Sequence, residues 1–335
     1  MAKVTLQSVA DEVGVSRMTV SNAFSRPDQL SKELRERILA TAEQLGYGGP
    51  DPAARALARG RTGSVGILLN GPLSESFEDE VSAEFVAAVA DELTRRGLAL
   101  TVLTPPLGDG FLPARDVAVD GALVYTCDPD SGGVAWLRRR KLPVVAVDQD
   151  LGAEVTTIGV DDVSGARAGA QHLLDLGHRR IGILALTEQY ALDPPNRDRL
   201  RGWRETLAEH GVEPVVVRAP LKTGSAALSA ATELLESSDV TAVLCFYDVF
   251  ARAVISAATA LGRSVPGDLS VVGYDDSPVA TGSVPALTTV RQDVTAKGHL
   301  AAGALADLLA GRAAASRTLA TELVIRDSTG PVPAS

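Results

Sequence analysis

Polar residues capable of specific recognition stand where apolar, strand-like runs end. They are Asn70 closing VGILLN, Tyr125 within GALVYTC, Asp148 closing LPVVAVD, Tyr247-Asp248 closing TAVLCFYD, and Asp275-Asp276 after LSVVGY. Arg199, in RLRGW, stands near the start of a helical segment, where its guanidinium can point into a crevice. Carboxylates accept paired hydroxyl hydrogen bonds and a guanidinium bridges neighbouring oxygens, so this set suits a hydroxyl-rich small molecule. The competing reading is that each strand-end Asp only caps the helix that follows it. Catalysis is poorly supported. Asp275 and Asp276 are adjacent, so on a strand they point to opposite faces and cannot share a proton. No G-x-G-x-x-G opens a βα turn, and there is neither a Walker loop nor a G-x-S-x-G elbow. His172, His178, His210 and His299 lack partners at metal-ligand spacing, so neither a metal nor a cofactor is expected.

A second chemistry sits near the N-terminus, in VTLQSVADEVGVSRMTVSN from Val4 to Asn22. Thr5 can cap a short helix whose Leu6, Val9, Ala10 and Val13 recur at helical spacing. Gly14 supplies a left-handed stop, and Ser16 caps a second helix with Val20 as its inward anchor. Two short helices joined through a glycine turn form a helix-turn-helix pattern, although any small helical hairpin could look similar. In that arrangement the first residues of the second helix, Arg17 and Met18, face base edges. Arg offers paired donors to guanine O6 and N7, and an apolar tip suits a thymine methyl. Thr5, Ser16, Thr19 and Ser21 read as caps and phosphate contacts, while Asn22, one turn on, could meet adenine or phosphate.

The elements that must position these groups are of two kinds. After the helix-turn-helix, Ser31 caps a third helix whose Leu34, Ile38, Ala42 and Leu45 close a small core. PDPAARALARGR (50–61) follows, with Asp51 as N-cap, Pro52 at N1 and Gly60 as stop. It makes about two turns of helix, too short to be stable alone in water, and a plain linker is the alternative. From Ser64 strands and helices alternate. Strands are expected at VGILLN, LALTVLT, GALVYTC and LPVVAVD, with helices over 78–96 and 134–141. A second series starts near Asp162, with helices over 164–176, 197–210, 224–237, 249–261 and 295–311 around four more strands. Two βα series predict an α/β body of two lobes with doubly wound parallel sheets.

Length and composition agree. At 335 residues the chain exceeds one core, and 45% hydrophobic with 4% aromatic content implies cores of Ala, Val and Leu. The net charge of −10 is uneven, since residues 1–61 carry +2 and the remainder −12, so DNA contact should be confined to the N-terminal unit. Cys127 and Cys245 read as buried free thiols of a reducing compartment. No signal peptide or membrane span is visible, so a cytoplasmic location without membrane association is expected.

The string VTLQSVADEVGVSRMTVSNAF with LSKELRERILATAEQLGY resembles the DNA-binding headpiece of the lactose-repressor (LacI) family. The resemblance runs to about Gly330. It implies a headpiece over 1–48, a hinge helix over 49–63, and a periplasmic-binding-protein-like body crossed three times. The lobes would then be 64–162 with 293–321, and 163–292 with 322–330. It implies effector contacts at Asn70, Tyr125, Asp148, Arg199, Tyr247 and Asp275, and a minor-groove wedge at Leu57 in a hinge that folds when paired on DNA. Two positions depart from the family pattern: Asn22 stands where Arg is common, and Tyr247 replaces a small polar residue. The expected function is a ligand-responsive regulator, a repressor of carbohydrate-related genes, bound as a homodimer to palindromic operator DNA. Family tetramers add a leucine-repeat helix, whereas this sequence closes with DSTGPVPAS. The alternative is a solute-binding protein for a small polar ligand such as a sugar.

Overall fold

A computed structural model describes residues 4–69, 71, 73–105, 110–188, 193–220 and 224–333. The chain divides into two compact units, Met1–Gly63 and Ser64–Ser335. In the first, α1 (Leu6–Val13) is closed by a capping box, the Thr5 hydroxyl accepting from the Ser8 amide. Gly14 then turns the chain at φ 74°, a conformation that a Cβ would strain. Ser16 caps α2 (Arg17–Ser25), and Ser31 caps α3 (Lys32–Gln44). Val9, Ala10, Val20, Ala23, Ile38 and Ala42 form the buried core, with Phe24 edge-on to Tyr47 at its rim. α4 (Pro52–Arg59) is capped by Asp51, whose Oδ1 accepts from the Ala53 and Ala54 amides, and it ends at Gly60 with φ 65°. No residue of α4 is buried, and beyond its caps it is tied to the unit by a long hydrogen bond, Arg59 Nη2 donating to the Ser25 carbonyl at 3.5 Å.

The second unit contains two sheets. β1 (Ser64–Leu69), α5 (Leu73–Glu78), α6 (Glu80–Arg95), β2 (Ala99–Leu103), α7 (Pro113–Asp116), β3 (Ala122–Tyr125), α8 (Gly132–Arg139), β4 (Val144–Val147) and β5 (Thr156–Val160) build the first lobe. α9 (Asp162–Asp175), β6 (Ile181–Leu186), α10 (Pro194–Glu209), β7 (Val215–Ala219), α11 (Gly224–Ser237), β8 (Ala242–Cys245), α12 (Asp248–Ala260), β9 (Ser270–Asp275), α13 (Pro278–Gly282) and β10 (Thr288–Arg291) build the second. α14 (Val294–Leu309) and β11 (Arg317–Leu319) return to the first lobe, and β12 (Glu322–Val324) to the second.

Strand order is β11-β5-β4-β3-β1-β2 in one sheet and β12-β10-β9-β8-β6-β7 in the other. Every described pairing is parallel except β10 with β12. The central strands β1, β3, β6, β8 and β9 are buried almost throughout, as parallel sheets covered on both faces require, while the edge strands β2, β7, β11 and β12 are partly exposed. The order reverses direction between β1 and β3 in one lobe and between β6 and β8 in the other. Open sheets of this kind leave a crevice at those switch points, beyond the carboxyl ends of the strands.

Several helix bounds are corrected, and those expected from 164 and 197 begin at Asp162 and Pro194. The single helix over 78–96 is broken at Asp79, whose carboxylate accepts from the Ser82 amide and starts α6 afresh. The helix expected from Val134 begins at Gly132, because Ser131 supplies the cap. The short β11 and β12 carry no alternation long enough to announce them.

α10 lies against α9 at Gly202. A Cβ there would sit 2.6 Å from the Val163 carbonyl oxygen and 2.8 Å from Ala166 Cβ. Gly202→Ala is therefore expected to destabilise the body by about 1–3 kcal/mol through overpacking. A denaturant midpoint equal to that of the wild type would show that the helices part at no cost.

Candidate functional site

A cavity of about 440 Å³ lies between the lobes of the second unit. Its walls are strand ends: Leu69, Tyr125 and Asp148 from one lobe, Leu186, Tyr247 and Asp275 from the other. Asn70 lies outside the described residues.

Arg199 is 4% exposed and projects from the first turns of α10. Its Nε donates to Asp162 Oδ1 at 2.8 Å and its Nη1 to the Phe246 carbonyl at 2.7 Å. Its Nη2 lies 3.2 Å from Asp275 Oδ1, and the guanidinium carbon stands 3.6 Å from the Tyr274 ring centroid. Burial opposes its charge, but Asp162 and Asp275 hold it above its ordinary pKa, so it stays cationic. Asp275 and Asp276 take separate partners. Asp275 also accepts from Gln292 Nε2 at 2.7 Å, whereas Asp276 pairs with Arg291 and Arg326 on the other side.

On the first lobe, Asp148 follows β4 with φ 53°. Its Oδ2 is 2.5 Å from Nζ of Lys297, a residue of α14 that is 1% exposed. The same ammonium donates to Gln292 Oε1 at 2.8 Å. One connected chain of buried groups therefore runs Asp162–Arg199–Asp275–Gln292–Lys297–Asp148 across the lobes. Sequence reasoning missed Asp162, Gln292 and Lys297. The available signal was Lys297 itself, a cation one turn into VTAKGHLAAGALADLL on a face otherwise made of Val294, Gly298, Ala301, Ala302 and Leu305.

The aromatic candidates are stacked on neighbouring rings. Tyr125 stacks on Phe85 with centroids 4.5 Å apart, and burial pushes its hydroxyl well above the usual tyrosine pKa. Tyr247 stacks on Phe250 at 4.5 Å and meets Phe246 edge-on. His178 bonds Thr241, Ser270 and the Gly330 carbonyl, which makes it a packing residue. Cys127 and Cys245 are buried free thiols.

Asp248, which lines the cavity, accepts from Thr289 Oγ1 at 2.6 Å and from the Ser277 amide at 2.8 Å. Burial and then the nearby Asp275 raise its pKa to about 7. A carboxyl raised on folding stabilises the fold below its unfolded value, and that contribution is lost as pH rises to about 7. Asp248→Asn is expected to flatten this decline in a thermal-melting series across that window. An unaltered slope would assign it to another group.

In the first unit, Ser16 Oγ accepts from the Thr19 amide and lies 2.8 Å from Thr19 Oγ1, while Thr5 closes its own box. Arg17 is exposed, Met18 is 70% exposed, and Leu57 on α4 is 87% exposed. Ser21 and Asn22 are half-buried, and Asn22 Nδ2 donates to Gln29 Oε1 at 3.1 Å. One of its donors is thus engaged inside the unit.

Residues 5–49 match the pattern described as bacterial regulatory proteins, lacI family, and residues 170–329 match a periplasmic binding protein-like domain. An HTH-type transcriptional regulator of Mycobacterium tuberculosis is 38% identical, covering 98% of each chain. The chain belongs to the LacI family. The HTH-type regulator IpsA of Corynebacterium glutamicum is 37% identical over 91% of each chain. The lac repressor dimer bound to operator and the anti-inducer ONPF superposes with a TM-score of 0.84 at 26% identity, over 98% of this chain and 99% of that one. A CelR–cellobiose complex does so with a TM-score of 0.71 at 29% identity, over 97% and 100%. This LacI-family chain is accordingly a DNA-binding, ligand-responsive transcriptional regulator with an α/β body. Among the described residues no helix is long and apolar enough to cross a membrane.

Proposed function

We propose that this regulator is a repressor of carbohydrate-related genes that binds a palindromic operator as a homodimer in the cytoplasm, and that a hydroxyl-rich effector in the cleft acts as its inducer. It has no catalytic role and needs no cofactor. The observation carrying this reading is the buried run of alternating carboxylates and cations lining a cleft in a chain that also bears a helix-turn-helix unit. The lac repressor bound to operator and CelR bound to cellobiose support it by similarity. In this reading 1–48 is the headpiece and 49–63 the hinge. One lobe is 64–162 with 293–321, and the other is 163–292 with 322–330.

Arg17 and Met18 read base edges, and Thr5, Ser16, Thr19 and Ser21 hold phosphates. Asn22 adds a contact one turn on, and Leu57 enters the minor groove. Asn70, Tyr125, Asp148, Arg199, Tyr247 and Asp275 meet the effector. Gel filtration combined with a mobility-shift screen of genomic fragments tests this reading. A dimer that shifts a palindromic fragment supports it. A chain that binds sugars but shifts no DNA would instead be a solute-binding protein.

A further inference from the structure

We propose that Lys297 and Asp148 form a subsite for a vicinal diol, making Lys297 a specificity-determining residue for an uncharged polyhydroxylated effector. The proposal rests on the reading of the cleft as an effector site. Lys297 and Asp148 both line the cavity, and their ion pair is nearly inaccessible to solvent. An ammonium has three donors. Two are used, on Asp148 Oδ2 and Gln292 Oε1, and the third has no hydrogen-bond acceptor among the described residues. The other carboxylate oxygen, Asp148 Oδ1, is buried and has no partner among the described residues.

Stability alone does not account for such a pair. Moving both charges out of water is costly, and an apolar replacement of similar volume is often neutral or stabilising. A diol uses what is left over: one hydroxyl oxygen accepts from Nζ, and its neighbour's O–H donates to the carboxylate. The Tyr125 ring, which lines the cavity and is backed by Phe85, has its centroid 5.8 Å from Nζ and offers an apolar edge beside it. Arg199 and Asp275 repeat the same cation–carboxylate pairing on the opposite wall.

The charge balance defines what is refused. Acidic lining residues outnumber basic ones by more than two to one, and both buried cations already face carboxylates. A phosphate or carboxylate on the ligand would meet that excess negative charge in a poorly screened site. The effector is therefore neutral.

The test uses the full chain, thermal-shift screening and titration calorimetry. The probes are D-glucose, D-galactose, sorbitol and cellobiose, their monodeoxy analogues and the hexose 6-phosphates. A neutral compound that stabilises the wild type is expected to bind Lys297→Met about tenfold more weakly, or about 1.4 kcal/mol. Asp148→Asn/Lys297→Met, which leaves no unpaired charge in the core, should lose affinity to the same extent. The analogue lacking one of the two hydroxyls should bind the wild type about tenfold more weakly than its parent, and this difference should vanish in Lys297→Met. Equal affinity for wild type and the double variant, or tighter binding of the 6-phosphates, overturns the subsite while leaving the effector reading intact. A wild-type chain stabilised by none of the neutral compounds overturns both.

Discussion

Arg199→Met should lower the stability of the body by about 3–5 kcal/mol and abolish stabilisation by any cleft ligand. Removing one partner of a buried ionic network leaves the others charged and unpaired, which costs more than the pair contributed. Here two carboxylates, Asp162 and Asp275, would be stranded, and the Phe246 carbonyl would lose its donor. Arg199→Lys keeps the charge but not the planar fork that serves three acceptors, so its loss should be intermediate. Urea unfolding followed by circular dichroism measures both. A midpoint for Arg199→Met matching that of wild type would mean that Asp162 and Asp275 are protonated and need no cation.

Arg17→Ala should leave folding untouched and cost about 1–3 kcal/mol per half-site in operator binding, relaxing specificity at one symmetric base position. Arg17 is exposed at the first turn of α2, and among the described residues its side chain makes no hydrogen bond or ion pair. Fluorescence anisotropy over a set of single-base operator variants reads the effect. Uniform weakening across all of them would make Arg17 a phosphate contact instead. Leu57→Ala, at an exposed position of a helix with no buried residue, should weaken binding without changing base preference.

The headpiece was legible because its determinants are local. Thr5, Ser16, Ser31 and Asp51 are caps, Gly14 and Gly60 are left-handed stops, and the apolar positions recur at helical spacing. The βα alternation was legible for the same reason, and it placed Tyr125, Asp148, Tyr247 and Asp275 at strand ends facing one cavity. The charge network was only half legible. Arg199 stands out in sequence, but its partner Asp162 reads locally as a helix-start acid, and Gln292 and Lys297 belong to a crossover segment and a helix. These residues meet only because the chain passes between the lobes at 161–162 and 292–293, which no local pattern encodes. Tyr125 and Tyr247 looked like hydrogen-bonding groups at strand ends, yet their stacking on Phe85 and Phe250 depends on α6 and α12 lying over the strands.

The most direct test is a pair of operator titrations on the full chain, with and without a saturating ligand identified by thermal shift. A ligand moves the DNA-binding equilibrium only by its differential affinity for the two lobe arrangements. Coupling of about 1–3 kcal/mol is typical, so operator affinity should fall by about 5- to 150-fold when the cleft is filled. Arg199→Met, unable to hold the ligand, should bind operator equally in both titrations. A ligand that saturates the wild-type cleft yet leaves operator affinity unchanged would contradict ligand control of DNA binding.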